Sequence, residues 1–238
     1  ETALTNIGLR GEKIDDAAGV ELWYAQLDID GNNLGTLQHT KKVARQGVLY
    51  TESLTAQGDD EATVVCRFNA VKESGQAIWA DTVLQTLLTP TLVAEKFKFA
   101  KLVINSTDVD GVDGVTINYG SNYSSHKNGG EMWPQKNFWN ANPRIEISTT
   151  EAGDLLNDVN VSGTALTDWT IWLRALDNDD NEFADASLEH IKISGVNGYL
   201  GIGPIGGSND APQTAGLFIV PRQKGQTPST DDPILYTF

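Results

Sequence analysis

Sulfur is nearly missing from this chain, whose 238 residues hold one cysteine and one methionine. A lone Cys66 excludes an intrachain disulfide and any cysteine-based zinc centre. Inside the apolar run ATVVCRF it is expected to be a buried, inert thiol. Histidine is almost as scarce: His39, His126 and His190 lie far apart, without the HxxxH or HExxH spacing of a zinc site. Basic residues are outnumbered, 17 Lys and Arg against 32 Asp and Glu, for a formal net charge of −15. That balance speaks against a nucleic-acid partner, which needs clustered cations to displace counterions, and against an anionic membrane surface. No apolar run approaches the roughly 18 residues of a membrane-spanning helix. No GxSxG frame surrounds a serine. The glycine-rich GIGPIGG (201–207) has no phosphate-loop lysine and opens no helical pattern, so it reads as a flexible connector.

What the chain does have is alternation. Hydrophobic residues make up 39% and charged ones 21%, an ordinary balance for a globular protein with a real core. The apolar pattern has period two. GVELWYAQLDI, VLYTESL, ATVVCRFNAV, KFAKLVIN, GVTINYG, PRIEIST, TDWTIWLRAL and LEHIKISG all read as short strands bounded by Gly, Asn and Asp turns. A helix is conceivable over 81–97, but Pro90 and its threonines weaken it. The expected fold class is therefore all-β, an antiparallel β-sandwich or jelly-roll-like unit.

An internal repeat of about 95 residues organises these strands. IDDAAGVELWY from Ile14 lies over VDGVDGVTINY from Val109, placing Asp15 on Asp110, Gly19 on Gly114, Leu22 on Ile117 and Tyr24 on Tyr119. Further on, VVCRFNAV and IWADTVLQTL match IWLRALD and EFADASLEHI, with Arg67 on Arg174 and Trp79 on Phe183. The larger offset there implies an insertion within 151–168. Tandem duplication then predicts a first sandwich over 1–92, a second over 93–196, and a Gly/Pro-rich extension over 197–238.

Three acidic clusters have oxygen donors at alternate positions beside a turn, as calcium loops do: Asp28, Asp30 and Asn32; Asp108, Asp110 and Asp113; Asp177 and Asp179. Calcium is the one cofactor they suggest, and Asx-rich hairpin turns are the competing reading. The segment 124–144, read as a loop, carries Trp133, Phe138 and Trp139, which suit an interface, a sugar ring or a plug over the chain's own core. Glu131 and Glu146 nearby are the carboxylates a glycosidase would use, but no motif singles them out. The tail holds two apolar islands, Leu217, Phe218 and Ile219, then Ile234, Leu235 and Tyr236, which need a groove on this molecule or on a neighbour.

Without a catalytic signature, the reading is a non-catalytic structural protein that assembles with copies of itself into a coat, shell, sheet or filament, latched by the C-terminal arm. In architecture alone it resembles tandem-sandwich viral coat proteins and sheet-forming compartment shells, without a diagnostic motif of either. The alternative is an extracellular carbohydrate-binding or adhesive module, calcium-dependent, with polysaccharide as partner; a polysaccharide-active enzyme ranks below both. The start at Glu1 is expected to reflect trimming or processing, in an extracellular, virion or compartment-shell setting.

Overall fold

A computed structural model describes residues 12–14, 19–35, 39–71, 78–86, 96–126, 129–130, 136–149, 165–177, 181, 190–208, 211–222 and 234–237. Every regular element among them is a strand. The first six are β1 (Glu12–Ile14), β2 (Val20–Tyr24), β3 (His39–Ala44), β4 (Gly47–Gln57), β5 (Thr63–Ala70) and β6 (Ala80–Gln85). Then follow β7 (Lys96–Ile104), β8 (Thr107–Val109), β9 (Gly114–Asn118), β10 (Asn122–His126), β11 (Lys136–Asn140) and β12 (Arg144–Ser148). The last are β13 (Ala165–Leu166), β14 (Trp169–Leu176), β15 (His190–Gly195), β16 (Gly198–Ser208), β17 (Ala211–Pro221) and β18 (Leu235–Thr237). The all-β expectation holds. The stretch weighed as a helix instead holds β6 and the start of β7, and 87–95 lies outside the described residues.

Alternation explains why these segments pair as they do. In β14, Trp169, Ile171, Leu173 and Ala175 are buried while Thr170, Trp172, Arg174 and Leu176 are half-buried on the other face. The strand belongs to a five-stranded antiparallel sheet, ordered β18-β15-β14-β7-β8. One register row crosses it from edge to edge: Val109, Leu102, Ile171, Ile193 and Tyr236. A second sheet has eight strands in the order β1-β4-β9-β12-β17-β16-β13, with β5 along the other side of β4. Its matching row is Leu54, Ile117, Ile145, Ile219 and Leu200, none more than 1% exposed. Side chains from both rows form one hydrophobic cluster, a β-sandwich-like core. A three-stranded sheet, β2-β3-β6, and the β10-β11 hairpin complete the described strands.

Hydrogen-bonded ladders cross both expected boundaries. β4 pairs with β9 across 92/93, and β12 with β17 and β15 with β18 across 196/197. Positions matched by the repeat have different surroundings: Leu22 and Tyr24 are 42% and 48% exposed, whereas Ile117 and Tyr119 are fully buried. The reason is their sheets, since β9 lies inside the eight-stranded sheet and β2 at the edge of the three-stranded one.

The tail departs most from its sequence reading. GIGPIGG, expected as a connector, lies within β16 and pairs with β17. Gly201 stands opposite Phe218, whose ring occupies the space where a Cβ would sit, 2.4 Å from it. The glycine serves cross-strand packing, not flexibility. β17 in turn runs between β12 and β16, so the first apolar island is part of the chain's own sheet.

The second island is held as firmly. β18 pairs with the edge of β15, Ile234 is 2% exposed, and the Tyr236 hydroxyl donates a hydrogen bond to that of Tyr119. Burial pushes both phenols above their ordinary pKa, Tyr236 far above. A pKa raised on folding stabilises the native state below the unfolded value, about pH 10, and the stabilisation is lost as pH climbs beyond it. Alkaline titration followed by tyrosinate absorbance and circular dichroism is expected to show these two phenols ionising only as the fold is lost. Ionisation of all tyrosines near pH 10 with the fold intact would contradict this anchoring.

Candidate functional site

Three surfaces carry chemistry. The first is the outer edge of the eight-stranded sheet. β5 pairs with β4 on one side, and its other edge meets no strand among the described residues. Thr63, Val64, Val65, Cys66 and Arg67 are all exposed, so neither face of this part of the strand is covered. Cys66 is therefore an exposed thiol, and the expectation of a buried one is corrected: the apolar run reaches past the edge of the core. Arg67 pairs with Glu52 at 2.6 Å across the ladder. The exposed large apolar side chains among the described residues are unevenly spread along the chain. Leu22, Tyr24, Leu27, Ile29, Val64, Val65, Trp79 and Val83 fall in the first half of the chain, and Val196, Tyr199 and Ile202 in the second. Trp79 meets Phe68 edge to face with ring centroids 6.4 Å apart.

The second surface is acidic. Asp28 and Asn32 close a tight loop: the Asn32 amide donates to Asp28 Oδ1 at 2.8 Å, the Asp30 amide to the same oxygen at 2.9 Å, and the Asp28 amide to the Asn32 carbonyl at 2.8 Å. Gly31 takes φ +83°, a conformation other residues reach only with strain. These bonds, that from the Asn32 amide foremost, hold the Asp28 carboxyl below its ordinary pKa. Asp177 repeats the arrangement, accepting from the Asn181 amide at 2.9 Å while its own amide donates to the Asn181 carbonyl at 2.9 Å. Turn chemistry thus uses the leading carboxylate of both loops. At the tip of the first, Ile29 is completely exposed between two aspartates.

Asp108, Asp110 and Asp113 lie at the end of β8 and in the turn that follows. Asp108 is 3.6 Å from Lys101, and the Asp113 amide donates to the Ser148 carbonyl. Among the described residues no three His, Cys, Asp or Glu side chains gather closely enough to share a metal ion. Asp179 lies outside the described residues.

The third surface was not legible beforehand. On the outer face of the five-stranded sheet, the ladder places Lys101, Trp172 and Lys192 in one row and Lys98, Arg174 and His190 in the next. The Lys192 ammonium lies 5.5 Å from the centre of the Trp172 ring. Register slips by one residue at Ala100, where β7 bulges against β14. Beside the bulge is a cavity of about 240 Å³, lined by Ala100, Lys101, Trp172, Leu173, Arg174 and His190. Neither ring nitrogen of His190 finds a hydrogen-bond partner among the described residues. Three lysines, an arginine and a histidine thus share this face, Lys101 lying 3.6 Å from Asp108.

Other expected residues are placed as follows. The segment 124–144 is not one loop: β10 and β11 form a hairpin that sets Tyr123 opposite Trp139 and Ser124 opposite Phe138. Trp133 and Glu131 lie outside the described residues. Glu146 is exposed on β12 and paired with Arg144 at 3.2 Å. The Arg144 guanidinium also covers the Phe218 ring at 4.0 Å. Leu217 and Ile219 are core residues, and Leu235 and Tyr236 are half-buried in β18. His39 is buried and accepts the Gln26 amide on Nδ1 at 3.1 Å, a structural role.

Compared with models of protein families and with curated protein sequences, the chain matches none.

The exposure of Cys66 has a direct check. Native protein is expected to react with a thiol reagent such as 5,5′-dithiobis(2-nitrobenzoate) at one site per chain, as fast as an unfolded thiol to within about tenfold. Reaction only after denaturation would return Cys66 to the interior.

Proposed function

We propose that this chain is a non-catalytic structural protein that assembles with copies of itself, built on a duplicated β-rich unit. What carries the reading is β5. An edge strand offers a row of unpaired amides and carbonyls, and soluble proteins ordinarily blunt it with lysine, proline or a covering loop. β5 contains neither lysine nor proline, and Val64 and Val65 are 37% and 42% exposed. Covering the exposed part of each valine is worth about 1 kcal/mol, and strand addition satisfies the backbone at the same time.

The apolar surface of the β2-β3-β6 sheet widens the contact. Leu22 there stands in register with Lys42 and Asp81, which form a 3.7 Å ion pair at the surface. The acidic charge keeps separate chains soluble until edges meet in register. The C-terminal segment, which the sequence suggested as the latch, contributes instead by completing the sandwich that holds β5 in place.

Sedimentation velocity tests the reading. Wild-type chains are expected to form larger species as concentration rises. Val65→Lys, which puts a charge on the exposed edge without touching the core, is expected to shift that transition at least tenfold higher in concentration. A wild-type chain that remains monomeric throughout would refute assembly.

A further inference from the structure

An edge strand sets the register of whatever joins it, and in β5 the direction of each peptide group can be followed. The Val71 amide donates to the Gln46 carbonyl at 2.9 Å, one step beyond the Ala70–Gly47 pair. Peptide groups along an antiparallel strand turn alternately to its two sides. β5 carries no bulge of its own, since the extra residue of this ladder is Glu52 on β4. Thr63, Val65 and Arg67 therefore direct their N–H and C=O groups to β4, and Val64, Cys66 and Phe68 direct theirs to the outer edge. The usable edge is bounded at both ends. The Ala62 amide is held by the Phe97 carbonyl at 2.6 Å. Phe68, Asn69 and Ala70 are half-buried, Phe68 against Trp79. The five exposed residues between these limits, 63–67, are centred on Val65.

We infer that two copies of this chain pair antiparallel through β5, about a twofold axis at Val65. The inference rests on the assembly reading and gives its β5 contact a partner strand, a direction and a register. Val65 faces Val65 of the second copy at a site without hydrogen bonds, where side chains approach most closely. Val64 and Cys66 exchange N–H···O bonds with Cys66 and Val64 of that copy. Thr63 meets Arg67, so no charge stands opposite its own copy.

Other centres fail on named groups. Val64 as centre calls on the Ala62 amide, which Phe97 already holds. Cys66 as centre sets the half-buried Phe68 opposite Val64. Arg67 as centre brings two guanidinium groups face to face, and an axis between residues sets outward-turned groups against inward-turned ones. Charge favours the same direction. Asp59, Asp60 and Glu61 are exposed just before β5, and Arg67 lies towards its other end. Antiparallel pairing lays the acidic turn of one copy near Arg67 of the other, whereas a parallel pair aligns like charges. Within the chain Arg67 pairs with Glu52 and Glu61 with Lys96, so charge here sets direction more than strength.

A twofold contact uses the same strand from both copies and closes on itself. The two eight-stranded sheets run on as one, and no third copy can join at β5. Growth beyond the pair falls to other exposed apolar residues, Leu22 and Val83 on the β2-β3-β6 sheet among them.

Disulfide trapping in full-length chains carrying Cys66→Ser tests the register. Single cysteines enter as Thr63→Cys, Val65→Cys or Arg67→Cys, all at exposed positions, with circular dichroism confirming each fold. Cα atoms about 4.5 Å apart at a site without hydrogen bonds are within reach of a disulfide. Under mild oxidation, at a concentration where wild type associates, Val65→Cys is expected to form covalent dimers at least tenfold faster than either other variant. Thr63→Cys and Arg67→Cys, each slow alone, are expected to cross-link when mixed, because those positions face each other. Equal rates for all three, or faster cross-linking through the native Cys66 than through Val65→Cys, would overturn the inference and leave the assembly reading standing. A wild-type chain that stays monomeric in sedimentation would overturn both.

Discussion

One row of five side chains holds this molecule together: Leu54, Ile117, Ile145, Ile219 and Leu200, in register on neighbouring strands β4, β9, β12, β17 and β16. It draws from the early chain, the middle and the tail, so none of these can leave without opening the core. The facing row, Val109 to Tyr236, closes the other side. Such contacts are distant in sequence, and the loop closures they need precede their reward, which makes slow folding the expected behaviour. The tail matters most in this respect. β17 is an inner strand, and β18 is tied to Tyr119 through the phenol of Tyr236.

The same row explains where apolar surface is left over. β9, β12, β14 and β15 bury one face each, and apart from Leu176 at the end of β14 their outer faces are polar, charged or aromatic. β2, β5 and β6 carry comparable apolar residues at the periphery, where they remain exposed. Charge is distributed unevenly too, with aspartates on the protruding turns and cations on the outer face of the five-stranded sheet. Surplus apolar surface, acidic turns and a basic row thus occupy different places on the molecule.

Much of the fold was legible as period-two alternation. β14 could be read as a two-faced strand from TIWLRALD, because Ile171, Leu173 and Ala175 alternate with Trp172, Arg174 and Leu176, and the first set is the buried one. Turn chemistry at Asp28 and Asp177 was legible for a similar reason, since aspartate followed four residues later by asparagine closes a turn locally. What escaped depends on partners remote in sequence. Gly201 looks like a breaker until Phe218 is seen lying over it. Cys66 sits in an apolar run whose position at the sheet edge no local pattern records. Tyr24 and Tyr119 occupy matching places in the repeat read from the sequence, yet strand order exposes one and buries the other. The basic row on the outer face combines Lys101, Trp172 and Lys192 from three strands, and a one-residue bulge sets its alignment.

Hydrogen–deuterium exchange of the wild-type chain at low and high protein concentration tests most directly that copies join through β5. The amides along the outer edge of Thr63–Ala70 are expected to exchange quickly in dilute solution and to become protected at least tenfold on concentration, while amides of β9 and β14 stay equally protected throughout. Protection along β5 that is the same at every concentration would contradict assembly through this edge.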